Sequence, residues 1–547
     1  MLLFHRYSQL NVEFERCVMK YLSRLLCLIV GLSMWMGAHA QAPSPSRGGT
    51  LTIALPTEPA HLNSAIDTTQ QVKVVAGKIY NGLVKYDLKM NMQPDLAQSW
   101  SVSPDGLRIT FNLRKGVKWH DGRDFTSADV AYSIMKGFGP NNGLVRSTFA
   151  NVQSVQTPDA HTAVLVMSQS AAALMSALPV ATATILPAHL FDNTDIRRNP
   201  ANLKPVGTGP FMFSEWRRGN AIVLVRNPNY FETNKPYLDR IVFKVIPDTQ
   251  SRGAAIESGD VDMVFHSTVA ASDARRLGAL KHLELTTDGY FFDSTVAFME
   301  FNNEHPIMGQ AAVRRALAHA IDRQFILDNV WMGFGRVATS PIHDNLKQAH
   351  TDNVPRYAYD LKRAEQLLDE AGFKKGADGK RFKLVIDYVP FGDQYPKMAQ
   401  YIRQQMIQIG IDAEVRNSDF ATWVRRIWTQ RDWMVNMSAI TNASDPSIGV
   451  QRAYWSKNIV PGTPFTNGTH FKNAELDEYF EKASLNTDPP VRRRHFAAIQ
   501  RILATELPVI PLVSIDQFSV VNKRVRNHST LADGVYSGYS DVWIALN

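Results

Sequence analysis

Cysteine is almost missing from this chain. Only Cys17 and Cys27 occur, both before residue 40. If that stretch is removed, the remaining protein has no disulfide, no thiol nucleophile and no Cys-held metal. Long apolar runs are nearly missing too. The one candidate, Leu25 to Met36, is uncharged but too short to span a bilayer comfortably. Charge of one sign is not concentrated either. The formal net charge is +8, and the first forty residues carry four Lys/Arg and two Asp/Glu, leaving 55 basic and 49 acidic residues, a net +6. Arg492, Arg493 and Arg494 form a short run that reads as a solvated helix face. Without a concentrated basic patch, nucleic-acid binding is not indicated. Catalytic signatures are also absent: the chain has no HExxH, no GxSxG and no P-loop lysine.

At the start, Lys20 and Arg24 precede the apolar run, and Ala38, His39 and Ala40 follow it. A basic flank, a short apolar core and a small-x-small site read as an export signal over residues 1–40, cleaved after Ala40. Glu13 and Glu15 fit such a leader poorly, so Met19 is a candidate start. Leu26 ahead of Cys27 argues against lipidation. Residues 41–46, rich in Pro and Ser, read as a short linker.

The body has 45% hydrophobic and 20% charged residues, as a large globular core requires. Leu51, Ile53 and Leu55 alternate as on a strand, as do Ile109, Phe111 and Leu113. Thr126 and Asp129 form a capping-box pattern for a helix running to Met135. Gly219-Asn220 reads as the turn of a hairpin joining Phe211–Trp216 to Ala221–Val225. Beyond residue 300 the pattern becomes helical. Phe382–Val389 and Ile411–Val415 read as strands around a helix bearing Met398, Tyr401, Ile402, Met406 and Ile409, a βαβ unit. Ile510–Val521 reads as one terminal strand that returns to the first half.

His120 beside Asp121, and the Gly207–Pro210 stretch, read as turns rather than as a dyad or a phosphate loop. Pro210 lacks the N–H that a phosphate cradle needs. The Asp260/Asp262 pair sits beside Gly259 and also reads as a turn. With no catalytic constellation, binding is favoured over an exported hydrolase, the competing class.

Several stretches hold one order and spacing: Ile79–Val84 (IYNGLV), Pro94–Trp100 (PDLAQSW), Phe111–Gly122 (FNLRKGVKWHDG), Phe125–Val130 (FTSADV), Gly207–Phe211 (GTGPF), Arg226–Tyr230 (RNPNY) and Val313–Asp322. Together they resemble the family-5 extracellular solute-binding proteins, receptors of ABC importers for dipeptides and oligopeptides. The resemblance implies an α/β periplasmic-binding-protein fold of type II, large class, with two lobes closing about a hinge. Lobe I would span 47–300 plus 516–547, with an inserted β-rich subdomain near 90–205, and lobe II would span 301–515. It further implies a periplasmic monomer, no cofactor, a peptide-like small molecule as ligand, and ABC permease subunits in the membrane as partners.

By the same resemblance, Asp67, Thr68, Thr69 and Gln70 would pair with the ligand main chain, as would Ser438 and Ile440 in the segment running to Pro446. Tyr388 and Trp433 are candidate aromatic walls. Peptide receptors of this kind place an aspartate three residues before the Asp-Pro acid to bind the ligand's ammonium. Here that position is Asn442, which offers a dipole but no charge. Either Asp445 or Asp67 takes over, or the ligand lacks a free amine: a blocked peptide, an opine, an oligosaccharide or a metal chelate. Trp423 and Trp428, five apart, are expected on different helix faces, and Arg425 and Arg426 on a solvated one.

Overall fold

The computed structural model describes residues 44–545. The export signal expected over residues 1–40, with its expected cleavage site, lies outside the described residues. From Arg47 on, the chain forms one compact unit. No helix among the described residues is long and apolar enough to cross a membrane.

Two large sheets organise it. The first has seven strands in the spatial order Leu283–Thr286, Ser519–Asn522, Met263–Val264, Thr50–Leu55, Arg240–Val245, Ala221–Arg226 and Phe211–Arg217. Thr50–Leu55 is wholly apolar on one face only; on the other, Thr50 is exposed, Thr52 half-buried and Ala54 buried. Leu51, Ile53 and Leu55 pack in the main core, whereas Ala54 packs with Ile256, Leu277 and Val520. The Gly219-Asn220 turn joins its hairpin, and Gly219 takes the left-handed φ of +70° the turn needs. A four-stranded antiparallel sheet, drawn from 97–167, is stapled to this body. Its Ile109, Phe111 and Leu113 point into the main core, as the alternation implies. Burial of a Phe111-sized ring contributes about 2–3 kcal/mol.

The motif stretches hold this body together. His120 Nδ1 accepts from Gly207 N–H at 3.1 Å, and its ring binds the Gly209 carbonyl at 3.0 Å. Burial pushes the imidazole down to about 4, so it stays neutral. Gly207 and Gly209 lie against the Ile79 carbonyl group, where a Cβ would come within 1.8 and 2.5 Å. No other residue allows that approach. The Thr126 N–H donates to Asp129 at 2.9 Å, closing the expected cap. The helix runs Ser127–Tyr132 and then widens into a π turn over Ser133–Gly137. There the Ser133 hydroxyl donates to the Asp129 carbonyl and accepts the Leu186 N–H.

The second sheet has six strands in the order Gly335–Val337, Val509–Ile515, Thr295–Phe301, Val435–Thr441, Lys383–Tyr388 and Asp412–Arg416. The βαβ unit falls where the periodicity puts it, with its helix at Gln394–Gln408 and Gly410 at φ +83° closing it. The terminal apolar stretch differs from the single strand expected. It is two strands, one in each large sheet, broken at 516–518. Polar Asp516 and Gln517 interrupt it, and there the chain crosses between sheets. The other crossing runs over 287–294.

Candidate ligand-binding site between the two sheets

Strand Val435–Thr441 is paired along its whole length on one side, Thr295 to Phe301 facing Thr441 to Val435. On the other side it pairs with Lys383–Tyr388 only as far as Met437. The Val389 N–H donates to the Met437 carbonyl, and the Asn442 N–H donates to the Ser294 carbonyl. Alternation then turns the main-chain groups of Ala439 and Thr441 toward the side that no described strand covers. The segment expected to pair with a ligand therefore has an open edge, next to both crossings. The side chains of Ser438 and Ile440 are buried beneath it.

In the first body, Thr68 and Thr69 are exposed and lie in no strand. Thr69, at φ −67° and ψ 147°, is the N-cap of helix Gln70–Ile79, without a side-chain cap bond. Asp67 accepts the Thr69 N–H at 2.8 Å and lies 3.8 Å from His61. Gln70 turns inward. Its amide nitrogen lies 2.7 and 2.9 Å from the two ring nitrogens of His266.

His266 is a node that sequence reading missed. It also lies 3.1 Å from Asp293, at the first crossing, and its N–H donates to Tyr290 Oη at 2.7 Å. Tyr290 Oη is 2.5 Å from Ser519 Oγ, and Ser267 Oγ donates to Gln517 at 2.8 Å, at the second crossing. Burial alone would raise the Asp293 carboxyl, but Lys73 and His266 more than offset it and hold it well below the usual range. The His266 imidazole thus ties Gln70 to the first crossing, while the His266 backbone N–H and the neighbouring Ser267 hydroxyl lead to the second. No local motif could flag this, because the partners come from residues 70, 266, 293 and 519.

Asn442 is fully buried. Its Oδ1 accepts the His343 N–H at 2.5 Å, and its Nδ2 donates to the Pro341 carbonyl at 3.0 Å. Both ends of the amide are therefore engaged in holding a turn. Gly449 packs on its backbone. Ala443 and Ile448 insert into the core of the seven-stranded body. Asp445 caps helix Pro446–Gly449 through Ser447 N–H, and both its oxygens accept from Arg492, at 2.9 and 2.8 Å. Arg492 is thus an ion-pair partner, not part of a solvated run. Only Arg493 and Arg494 are exposed.

Tyr388 is half-buried at the end of its strand. Trp433 is buried among Val389, Trp423, Ile427 and Trp428, and its indole N–H has no partner. Trp423 and Trp428 meet edge to face at 4.8 Å, contrary to expectation. Helix Phe420–Val424 passes into a π turn at Arg425–Gln430, which brings residues five apart onto one face. The same turn points Arg426, but not Arg425, inward. Arg426 and Arg416 each contact the fully buried Asp387 at 2.8 Å. The aromatic row continues outward to Phe420 and Phe391, stacked at 5.2 Å and 22°, and 39% and 48% exposed. Both follow the carboxyl ends of parallel strands, the usual ligand edge of such sheets.

Asp387, Asn436 and Glu300 form one row across three strands, since Asp387 faces Asn436 and Asn436 faces Glu300. Glu300 accepts from Asn436 at 2.6 Å, and burial pushes its carboxyl up to about 7. Among the described residues, no three His, Cys, Asp or Glu side chains are grouped to hold a metal.

Two sheet-centred bodies joined by two chain crossings define a type II periplasmic-binding fold. The chain belongs to the bacterial extracellular solute-binding proteins, family 5, whose model matches residues 91–461. It is 28% identical to the oligopeptide-binding protein AppA of Bacillus subtilis, over 90% of this chain and 92% of that protein. It is also 28% identical to the heme-binding protein A of Haemophilus influenzae, over 82% and 84%. The structure of Bacillus subtilis AppA in complex with a nonapeptide superposes with a TM-score of 0.76 at 26% identity, covering 92% of this chain and all of that one.

Proposed function

We propose that this solute-binding protein works outside the cytoplasm, in the periplasm, as a monomeric receptor that captures a peptide-like solute and passes it to an ABC importer. Its two lobes are the bodies around the seven- and six-stranded sheets, and its hinge is the pair of crossings at 287–294 and 516–518. The observation that carries the reading is the open edge at Ala439 and Thr441. An extended ligand would add a strand there, while Thr68 and Thr69 approach from the other lobe. The likeness to an oligopeptide-binding protein supports this cargo class.

The end of the cargo near Asn442 meets no free carboxylate. Asn442 is engaged by the turn, and Asp445 is neutralised by Arg492. A free ammonium buried there would cost several kcal/mol by rough estimate. The cargo therefore has a blocked or amine-free end at Asn442, and a free ammonium would have to reach Asp67, which lies 3.8 Å from His61. A second reading, a non-peptide cargo such as an opine, an oligosaccharide or a metal chelate, is favoured by the Phe391–Phe420 stack, which suits a flat ring. Mass spectrometry of molecules released on denaturation, followed by thermal-shift rebinding, decides between them. Retained N-blocked peptides support the first reading. Retained free-amine peptides refute the blocked end, and retained ring compounds favour the second reading.

A further inference from the structure

The two bodies are joined by more than their crossings. After strand Val435–Thr441, segment 442–449 leaves the six-stranded body and enters the other. Ala443, Ser444 and Ile448 are each 1% exposed. Ala443 and Ile448 pack in the core of the seven-stranded body, and the Ser444 hydroxyl donates to the Ser176 carbonyl at 2.8 Å. The first body supplies the seat. The Ser176 side chain hydrogen-bonds with the buried Tyr86, whose ring lies 6.1 Å from Phe292 at the first crossing. A second bond lies alongside, from the Ala172 N–H to the Ser484 carbonyl at 3.0 Å.

The segment is braced from its own side. Ala443 takes a left-handed φ of +55°, which is unfavourable for a residue with a Cβ and must be held by its surroundings. Asn442 is fixed by Pro341 and His343, and Asp445 by Arg492. Gly449 lies so close to the Asn442 backbone that a Cβ would come within 2.3 Å of it. The segment is therefore fastened to the second body at its root and to the first body at its tip. All these contacts join buried protein groups, and none requires an occupant at Ala439 or Thr441. Withdrawing one isoleucine-sized side chain from a core into water shifts a two-state balance by about tenfold to a hundredfold.

We infer that segment 442–449 is a latch that keeps the two bodies closed when no cargo is bound. The inference rests on the reading of two lobes and a hinge, and goes beyond it in the resting state. The empty receptor is shut, and cargo enters only when Ala443, Ser444 and Ile448 withdraw from their seat.

The protein from Gln41 onward is stripped of bound molecules by denaturation, dialysis and refolding, and its radius of gyration is read by small-angle X-ray scattering. The chain has no cysteine beyond Cys27. Ser176→Cys with Ser444→Cys, joined by a short bis-methanethiosulfonate, is therefore the closed standard. Ser444→Ala with Ile448→Ala removes the latch contacts, and Ser444→Trp is a wedge in the seat. A single cooperative urea transition shows that each variant is folded. The stripped wild type should match the closed standard, and both unlatched variants should be larger by about 1 Å or more. A stripped wild type larger than the standard overturns the latch, because the empty protein then rests open; this comparison decides even where a variant does not fold. An alanine variant that matches the standard while the wedge variant is larger also overturns it, and leaves the hinge in place. If even the wedge variant matches the standard, the bodies do not hinge, and the two-lobe reading fails together with the inference.

Discussion

Asn442→Asp introduces the aspartate that the family resemblance implies at this position, and the structure says it should damage this protein. The wild-type side chain is fully buried and donates to the Pro341 carbonyl while accepting from His343 N–H. Aspartate keeps the acceptor but turns the donor into an anionic oxygen facing a carbonyl. A lost hydrogen bond together with an unpaired buried charge costs about 3–5 kcal/mol. Burial raises the introduced carboxyl's folded pKa above its unfolded value. Its protonated form can donate to Pro341, so stability is retained at low pH and lost as pH rises through the folded pKa. Urea midpoints of wild type and variant at pH 4.5 and pH 8 check this. The gap should be small at the first pH and several kcal/mol at the second. A variant as stable as wild type at pH 8, and newly able to bind free-amine peptides, would refute the reasoning, because Asn442 would then face the cargo rather than the turn.

Other perturbations bear on the same site. Arg492→Gln frees Asp445, so affinity for free-amine over acetylated peptides should rise at least tenfold by calorimetry, at a stability cost of about 3 kcal/mol at pH 8. Glu300→Gln removes a carboxyl whose folded pKa is raised to about 7. Wild type loses stability from that group as pH rises from about 4.5 to 7, so the variant should gain up to about 3 kcal/mol at pH 8 and little at pH 4.5, read from urea midpoints. Gly449→Ala places a methyl 2.3 Å from the Asn442 backbone, and its urea midpoint should fall by about 3 kcal/mol or more.

Much of the scaffold was legible locally. Alternation placed Thr50–Leu55 and Arg108–Leu113, and helical spacing placed Gln394–Gln408, because each face is decided by residues a few positions apart. The stretch with glycines 207 and 209 reads as a tight turn and is an irregular bend, and its contact with Ile79 depends on a helix far back in the chain. The site was legible only as segments. Residues 67–70 and 438–445 were named from likeness, but the open edge at Ala439 depends on where strand Lys383–Tyr388 stops pairing, which periodicity cannot give. His266, Asp293 and Arg492 escaped because each partner is distant in sequence. Arg492 looked like one of three solvated arginines until Asp445 was seen beside it. The Trp423–Trp428 contact escaped because a π turn breaks the 3.6-residue rule.

Strand Ser519–Asn522 lies inside the seven-stranded sheet, between Leu283–Thr286 and Met263–Val264. A ribosome making this protein must therefore nearly finish before the sheet can close. Until then one edge of Met263–Val264 stays unfilled and Leu283–Thr286 lacks its strand partner, and long-range pairing of this kind forms slowly. Folding of the whole first body is therefore tied to the last thirty or so residues of the chain, so a truncation before Ser519 would leave that sheet open.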